Sequence, residues 1–442
     1  MRLYWSLFHS MWIALLSAFF VHAHAVTLSE VFLAAKTVDE TYLGAIANFE
    51  ANQESLPQAL APLLPSLSLT AQNMTNRLEK DDGVVKFPQQ NYRSSGRTLA
   101  LRQPIIRPSA WIQLKQSSAQ VISAQYELIR AENDLAIRTV SAYLDALLAD
   151  TQLKALGAQI EALQAQLIAT TLSVKQGQAT RTDIMDVQGR LDQSRADELQ
   201  VISAKKYALD QLTFFSSYAK APPLSISFDD EINGFHKIPL QEWLNRAMEN
   251  NADILTSKFR VEIVKQEILK SYSGHLPTLD FIAQISSSNN ENIQFPATVF
   301  SNRQVGLQMN LPLFSGGSVL SASRQALQQT NKEVRLFNAT TNNIRLQVSK
   351  EHSNFIDGIS RVRANSTALM AANEFLISVE KNNQAGYKTQ VDVLNAKQRV
   401  LATEKELALS KFQSLLAFLK LNLLSGESAQ QSLSMLEQYI QK

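Results

Sequence analysis

The chain of 442 residues contains no cysteine. That absence removes disulfides, thiolate nucleophiles and Cys-ligated metals together, and with them a lipid-anchored N-terminus. Histidine is scarce, and beyond residue 25 only His236, His275 and His352 remain, with no ligand spacing between them. A zinc site or a Ser-His-Asp triad is therefore poorly supplied. The net charge is +2, with Lys and Arg interspersed among Asp and Glu, which argues against a nucleic-acid partner. No nucleotide-binding loop of the GxxxxGK[ST] kind occurs, and no nucleophile, base and orienting group recur together. Neither an enzyme nor a cofactor is expected. Proline is missing from Ser109 to Ala221 and from Leu313 to the C-terminus, although the chain has 12.

One long apolar run is present, WIALLSAFFV from Trp12 to Val21, between Arg2 and the small-x-small pattern Ala23-His24-Ala25. It predicts a secretory signal peptide over residues 1–25, since the run is short for a bilayer span. The proline-free tracts, rich in Ala, Leu, Gln, Lys and Glu, predict long helices. Leu153, Leu156, Ile160, Leu163 and Leu167 step by three and four in the first tract, as do Val393, Ala396, Val400, Thr403 and Leu407 in the second, giving coiled-coil seams. An unbroken helix from Ser109 to Gln176 would reach about 100 Å at about 1.5 Å per residue, far more than a globular core needs.

The chain also says things twice. GQATRTDIMDVQGRL (Gly177 to Leu191) and GYKTQVDVLNAKQRV (Gly386 to Val400) share Gly, Thr, Asp, an aliphatic pair and Arg in register, 209 positions apart. LPSLSLTAQ from Leu64 returns as LPTLDFIAQ from Leu276, and LSEVFLAA from Leu28 as LQEWLNRA from Leu240, both at 212. QPII from Gln103 matches LPLF from Leu311 at 208, so the second copy carries a small deletion within its first Pro-bounded segment. Such a period mandates a tandem reading of the fold. The first repeat covers 26–221, with a β-hairpin at about 64–104 and a helical hairpin at about 109–215. A linker follows at 222–239. The second repeat covers 240–442, with a β-hairpin at about 276–312 and a helical hairpin at about 318–424.

In the Pro-bounded segments the period is two. Val305, Leu307, Met309 and Leu311 alternate with Gln304, Gly306, Gln308 and Asn310, and Leu279, Phe281, Ala283 and Ile285 alternate with mostly polar residues. The first copy matches more loosely through Leu67, Leu69 and Ala71, then Leu99 and Leu101. Each copy offers two strands of about ten residues, joined by the polar loops RLEKDDGVVKFPQQN and SSSNNENIQFPATVFSN. Periodicity alone leaves two classes open: a soluble sheet packed on a periplasmic coiled-coil structural or adaptor protein, or a piece of an outer-membrane barrel. Four strands cannot close a barrel, and open edges in hydrocarbon cost several kcal/mol for each unpaired backbone group. Two copies would leave little lumen, whereas three would give twelve strands and a usable pore.

The two-copy layout, the LP-x-L strand starts, the Pro-terminated second strands and the paired G-x-x-T-x-x-D turns resemble the outer-membrane efflux proteins of the TolC type, over Val26 to about Leu424. The resemblance implies a mainly α fold with a small membrane β part, in which a homotrimer forms a 12-stranded β-barrel in the outer membrane, continued by a periplasmic α-helical barrel. It implies two protein partners, a periplasmic adaptor (membrane fusion) protein and an inner-membrane transporter of the ABC or proton-driven kind. The chain would be the passive exit duct of a tripartite efflux pump or type I secretion system.

The twin turns carry both a structural and a functional reading. Structurally, Gly177 and Gly386 end a helix in the left-handed conformation, Thr180 and Thr389 cap the next, and Asp183 and Asp392 complete capping boxes. Functionally, threefold symmetry would turn each entrance Asp into a ring of three carboxylates. Carried over from the family by position, Asp392 matches the first acid of the entrance motif. Asn395 stands where a second Asp is usual, Lys388 replaces an Arg, and Asn383 replaces an aromatic residue of the latch between hairpins. Thr182 and Asp183 match the partner turn, where Lys388 could pair with Asp183, and Asp186 restores a second acid from the other copy. The resemblance thus implies a constriction of Asp183, Asp186, Asp392 and Asn395, and a latch of Thr182, Asp183, Asn383 and Lys388. Trp111 and Trp243 are expected to be packing residues, and Tyr92 and Phe295 are candidates either for an aromatic girdle or for loop packing.

Overall fold

The computed structural model describes residues 27–79, 83–84, 89–216, 238–292 and 295–440. The expected leader at 1–25 and nearly all of the expected linker lie outside them, as does the side chain of Phe295. The chain divides into two units, Met1–Leu43 with Ala131–Ala247 and Leu346–Lys442, and Gly44–Arg130 with Met248–Arg345.

In order, the elements are α1 (Leu28–Val38), α2 (Glu40–Gln53), α3 (Ser55–Leu60), β1 (Ser66–Leu78), β2 (Gln90–Ile106), α4 (Pro108–Lys175), α5 (Arg181–Ser216), α6 (Leu240–Asn250) and α7 (Ala252–Tyr272). Then follow β3 (Thr278–Asn292), β4 (Phe295–Asn310), α8 (Ser318–Gln384), α9 (Gln390–Leu424) and α10 (Ala429–Ile440). Pro108 opens α4 where its missing N–H costs nothing, and the helix then runs uninterrupted to Lys175. Thr27 starts α1 with a capping box: its hydroxyl accepts the Glu30 N–H at 3.2 Å while Glu30 accepts the Thr27 N–H at 2.9 Å.

The second unit holds the sheet, antiparallel in the order β1-β2-β3-β4. The strands are 13, 17, 15 and 16 residues long, against about ten expected. The excess lies in residues expected to be loop, Ser286–Asn292 and Phe295–Asn302 among them, because backbone pairing continues where the side chains turn polar and apolar alternation ends. The register lines side chains into rows across the strands. Leu67, Leu101, Ala283 and Val305 share one row, Gln103, Phe281 and Leu307 lie in the row below, and Leu69, Leu99, Ile285 and Arg303 in the row above. Interleaved rows read Ser68, Ala100, Gln284, Gln304, then Thr70, Thr98, Ser286, Asn302. Because successive residues point to opposite faces, one face is apolar and the other polar. The Gln304 amide donates to Gln284 at 3.2 Å across the polar face. Tyr92, paired with Asn76 in that unbroken register, falls on the polar face, not on the apolar face a girdle needs. The apolar face is bare: Leu69 is 73 % and Val305 72 % exposed.

At the base of this sheet the buried Asp280 carboxylate receives both Arg102 and Arg107, the latter at 3.1 Å. In the same unit α7 packs on the first part of α4 through the stacked rings of Tyr126 and Phe259, 5.9 Å apart, and the Arg260–Glu127 pair at 2.7 Å.

The first unit buries Leu28, Val31 and Phe32 of α1, Trp243 of α6, Phe418, Leu419 and Leu421 of α9, and Leu433 and Leu436 of α10. Phe355 of α8 and Phe418 meet at 5.2 Å. One turn away Gly358 lets α8 and α9 approach closely, since a Cβ there would lie 2.9 Å from Ser414 Cβ and 3.2 Å from Ser414 Cα. Gly358→Val should therefore push the two helices apart and destabilise the protein by about 1–3 kcal/mol despite its better helix propensity, read as a lower urea midpoint of the helical circular-dichroism signal. An unchanged or higher midpoint would show that the crossing has slack.

Candidate functional site

Both turns of interest lie in the first unit and are built from the same backbone device. At the end of α4 the Gly177 N–H donates to Val174 O at 3.0 Å and the Gln178 N–H to Ser173 O at 2.9 Å, with Gly177 at φ 75°. At the end of α8 the Gly386 N–H donates to Asn383 O at 3.0 Å and the Tyr387 N–H to Asn382 O at 2.9 Å, with Gly386 at φ 80°. These paired bonds are Schellman closures, which need a left-handed residue and so favour glycine.

Three residues on, each returning helix opens with a reciprocal cap. Asp183 Oδ2 accepts the Thr180 N–H and hydroxyl, both at 2.8 Å, while the Thr180 hydroxyl accepts the Asp183 N–H at 3.3 Å. Asp392 Oδ2 accepts the same groups of Thr389 at 2.9 Å, and Thr389 accepts the Asp392 N–H at 3.2 Å. Accepting the backbone N–H, then the hydroxyl, holds both carboxyls below the usual Asp range. Sites with this sign stabilise their turns at any pH above the unfolded-state value and lose that contribution as pH falls through the depressed folded value.

The remaining candidates are distributed as follows. Asn383 Nδ2 donates to the Lys388 carbonyl at 2.8 Å, closing its own turn. Lys388 Nζ, in the turn before the Thr389 cap, stands 4.0 Å from Asp392 in the first turn of α9. Thr182 is exposed. Asp186 and Asn395 are brought together by a residue to which sequence reasoning assigned no role: Arg190 bonds Asp186 Oδ2 at 3.1 Å and Asn395 Oδ1 at 2.7 Å, joining α5 to α9. The signal was there, because Arg190 and Arg399 are the last shared letter of the twin motif. Arg399 instead lies over the Phe375 ring at 5.8 Å.

Apolar packing explains why α9 meets both hairpins. Val393 and Ala396 pack on Val379 of α8, whereas Leu394 enters the cluster of Ile160, Leu163, Val187 and Leu191 of the other hairpin. Adjacent residues on α9 thus serve different neighbours, and Asn395 reaches Arg190 from the same side as Leu394. Among the described residues no group of three or more His, Asp or Glu could hold a metal ion. The chemistry available is fixed charge and hydrogen bonding at two exposed turns.

Solved structures with this fold include outer-membrane proteins and channels. VceC of Vibrio cholerae aligns with TM-score 0.75 at 16% identity, over 91% of this chain and 96% of that one. The open-state MtrE channel of Neisseria gonorrhoeae aligns with TM-score 0.73 at 13% identity, over 91% and 90%. The chain belongs to the outer membrane efflux protein family, whose model matches residues 43–215 and 243–427. It is 27% identical to the proteases secretion protein PrtF of Dickeya chrysanthemi over 89% of this chain and 87% of that one. It is 25% identical to the alkaline protease secretion protein AprF of Pseudomonas aeruginosa (91% and 85%) and 25% identical to TolC of Escherichia coli (97% and 87%). It is accordingly an outer-membrane protein reaching into the periplasm, from a family of channels rather than enzymes.

Proposed function

We propose that this chain is the exit duct of a tripartite export machine, three copies closing a twelve-stranded barrel. The observation that carries the reading is the sheet: its apolar face is bare, and β1 and β4 each pair on one side only. In water such edges and such a face aggregate, and in lipid the open edges are prohibitive, so association through β1 and β4 removes both costs at once. A periplasmic adaptor and an inner-membrane transporter then supply specificity and energy. The likeness to two relatives named for protease secretion favours polypeptide cargo and an ABC-type transporter. The family's efflux description keeps small-molecule export by a proton-driven transporter as the second reading.

In this reading Asp183, Asp186 and Asp392 form the constriction at the periplasmic entrance, with Arg190 and Asn395 clipping the hairpins beside it. Reconstitution in planar bilayers tests the duct, and a chain that stays monomeric and leaves bilayers sealed sinks it. Deleting the gene and assaying culture supernatant for secreted protease, and cells for drug susceptibility, separates the two cargoes. Asp392→Asn keeps an oxygen for the Thr389 cap while removing the charge, so conductance of the variant should show reduced cation selectivity or a larger resting current. If both are unchanged, Asp392 serves only its turn.

A further inference from the structure

On the apolar face every strand turns polar within three adjacent rows: β4 at Arg303, β2 and β3 one row further at Arg97 and Ser287, and β1 one row beyond that at Asn73. In β2 the outward series Leu101, Leu99 gives way to Arg97 and then Arg93, and in β4 Val305 gives way to Arg303 and Ser301, with Val299 beyond them. In β1 the series Leu67, Leu69 gives way beyond Ala71 to Asn73, and in β3 Ile285 gives way to Ser287. A boundary that shifts by a row between strands is the margin of a hydrocarbon slab crossed at a tilt, as barrel strands cross it. It lies toward the β1–β2 and β3–β4 connections, at the ends of the strands away from the helices. The chain reaches into the periplasm through its helices, so these opposite strand ends face the cell exterior.

At that margin stand Arg93, Arg97 and Arg303, all exposed and with no side-chain hydrogen bond or ion pair among the described residues. The register places Arg97 opposite Ala71 and Ser287, Arg303 opposite Ile285, and Arg93 opposite Thr75, so none of these cross-strand partners is a carboxylate. With strands about 4.8 Å apart and about 3.3 Å per residue, Arg97 is rooted roughly 12 Å from Arg303 and roughly 13 Å from Arg93. Guanidiniums at the edge of an apolar band and just beyond it need anions held at the surface of a membrane, in number. Guanidinium forks match phosphate oxygens bidentately.

We propose that Arg93, Arg97 and Arg303 form a docking surface for the phosphorylated glycolipid of the outer leaflet, the phosphate groups sitting on the arginines and the acyl chains lying along Leu69, Leu99 and Val305. The inference rests on the barrel reading above, which sets this face outward. It adds a specific lipid partner and an anchor for the depth and rotation of the barrel.

The test uses the full-length protein purified in detergent and inserted into nanodiscs with phosphatidylethanolamine plus one of three additions: lipid A, dephosphorylated lipid A or phosphatidylglycerol. Retained lipid is counted by native mass spectrometry. Wild type should retain lipid A over both other additions, and the triple variant Arg93→Gln, Arg97→Gln, Arg303→Gln should lose on the order of tenfold of that preference, screening holding the loss below three full surface contacts. Heat-resistant trimers and conductance, measured on the same preparations, read the barrel separately. Normal pores with no lipid A preference in wild type, with an equal preference for phosphatidylglycerol, or with a preference unchanged in the triple variant overturn the inference and leave the duct standing. Loss of pores in wild type overturns the duct, and the inference with it.

Discussion

Arg138→Ala should cost about 3–5 kcal/mol of stability, because it strands a buried carboxylate. Asp39 is 2 % exposed and sits in the first unit between α1 and α2. Its two oxygens receive Arg138 Nη1 at 2.8 Å and Nη2 at 3.2 Å, and Oδ1 also accepts the Tyr42 N–H at 2.8 Å. Arg138 is held in turn by Asp134 at 2.9 Å and by the face of Phe215, 5.1 Å away. The bidentate Arg138 bonds are the largest influence holding the Asp39 carboxyl below its usual range, outweighing burial, which pushes it up. The stabilisation from this depression is complete above the unfolded Asp value and drains away as pH falls through the lower folded value. Urea unfolding followed by circular dichroism at neutral pH gives the cost. A double variant, Asp39→Asn with Arg138→Met, should recover most of it, since the penalty belongs to the uncompensated charge more than to the pair. Equal loss in the single and double variants would show that the arginine acts by packing alone.

How far the sequence could be read depends on how local each feature is. The G-x-x-T-x-x-D turns are written in residues three apart, so their Schellman and capping hydrogen bonds follow from spacing. The seam around Leu163 and the alternation through Leu307 are similarly local, and burial and register express them directly. Strand length was not readable, because Ser286–Asn292 pairs through its backbone and its polar side chains have no period-two contrast to display. The Arg190–Asn395 bond spans 205 positions, and nothing in either segment states that α9 will turn Leu394 and Asn395 toward the other hairpin. Asn383 makes a bond that its position in the family motif does not announce. A short amide at a helix end finds a nearby free carbonyl, here that of Lys388. The two tryptophans, expected to pack, separate: Trp243 is buried, whereas Trp111 is 57 % exposed.

Leu307→Arg should be the most damaging single change on the sheet, and its neighbour Gln304 the control that gives it meaning. Leu307 shares its row with Phe281 and Gln103 and lies between the rows of Val305 and Met309, in the middle of the apolar face. If that face meets lipid, an arginine there costs about 2–4 kcal/mol per copy at the bilayer midplane, and a threefold assembly incurs it three times over. Against a marginal stability of about 5–15 kcal/mol for a typical folded protein, such a sum is enough to prevent assembly. Gln304→Arg introduces the same charge and nearly the same bulk only three residues away. It falls in the row of Ser68, Ala100 and Gln284, on the face that would line a water-filled lumen, where the guanidinium stays hydrated. The readout is the amount of heat-resistant trimer in outer-membrane fractions and the temperature at which its band dissociates. Leu307→Arg should abolish or strongly deplete the band, and Gln304→Arg should leave it near wild type while altering ion selectivity. Were the two substitutions equally harmful, or their order reversed, the apolar face could not be the one that meets lipid, and a sheet closed on water-filled space by apolar side chains would have to be explained some other way.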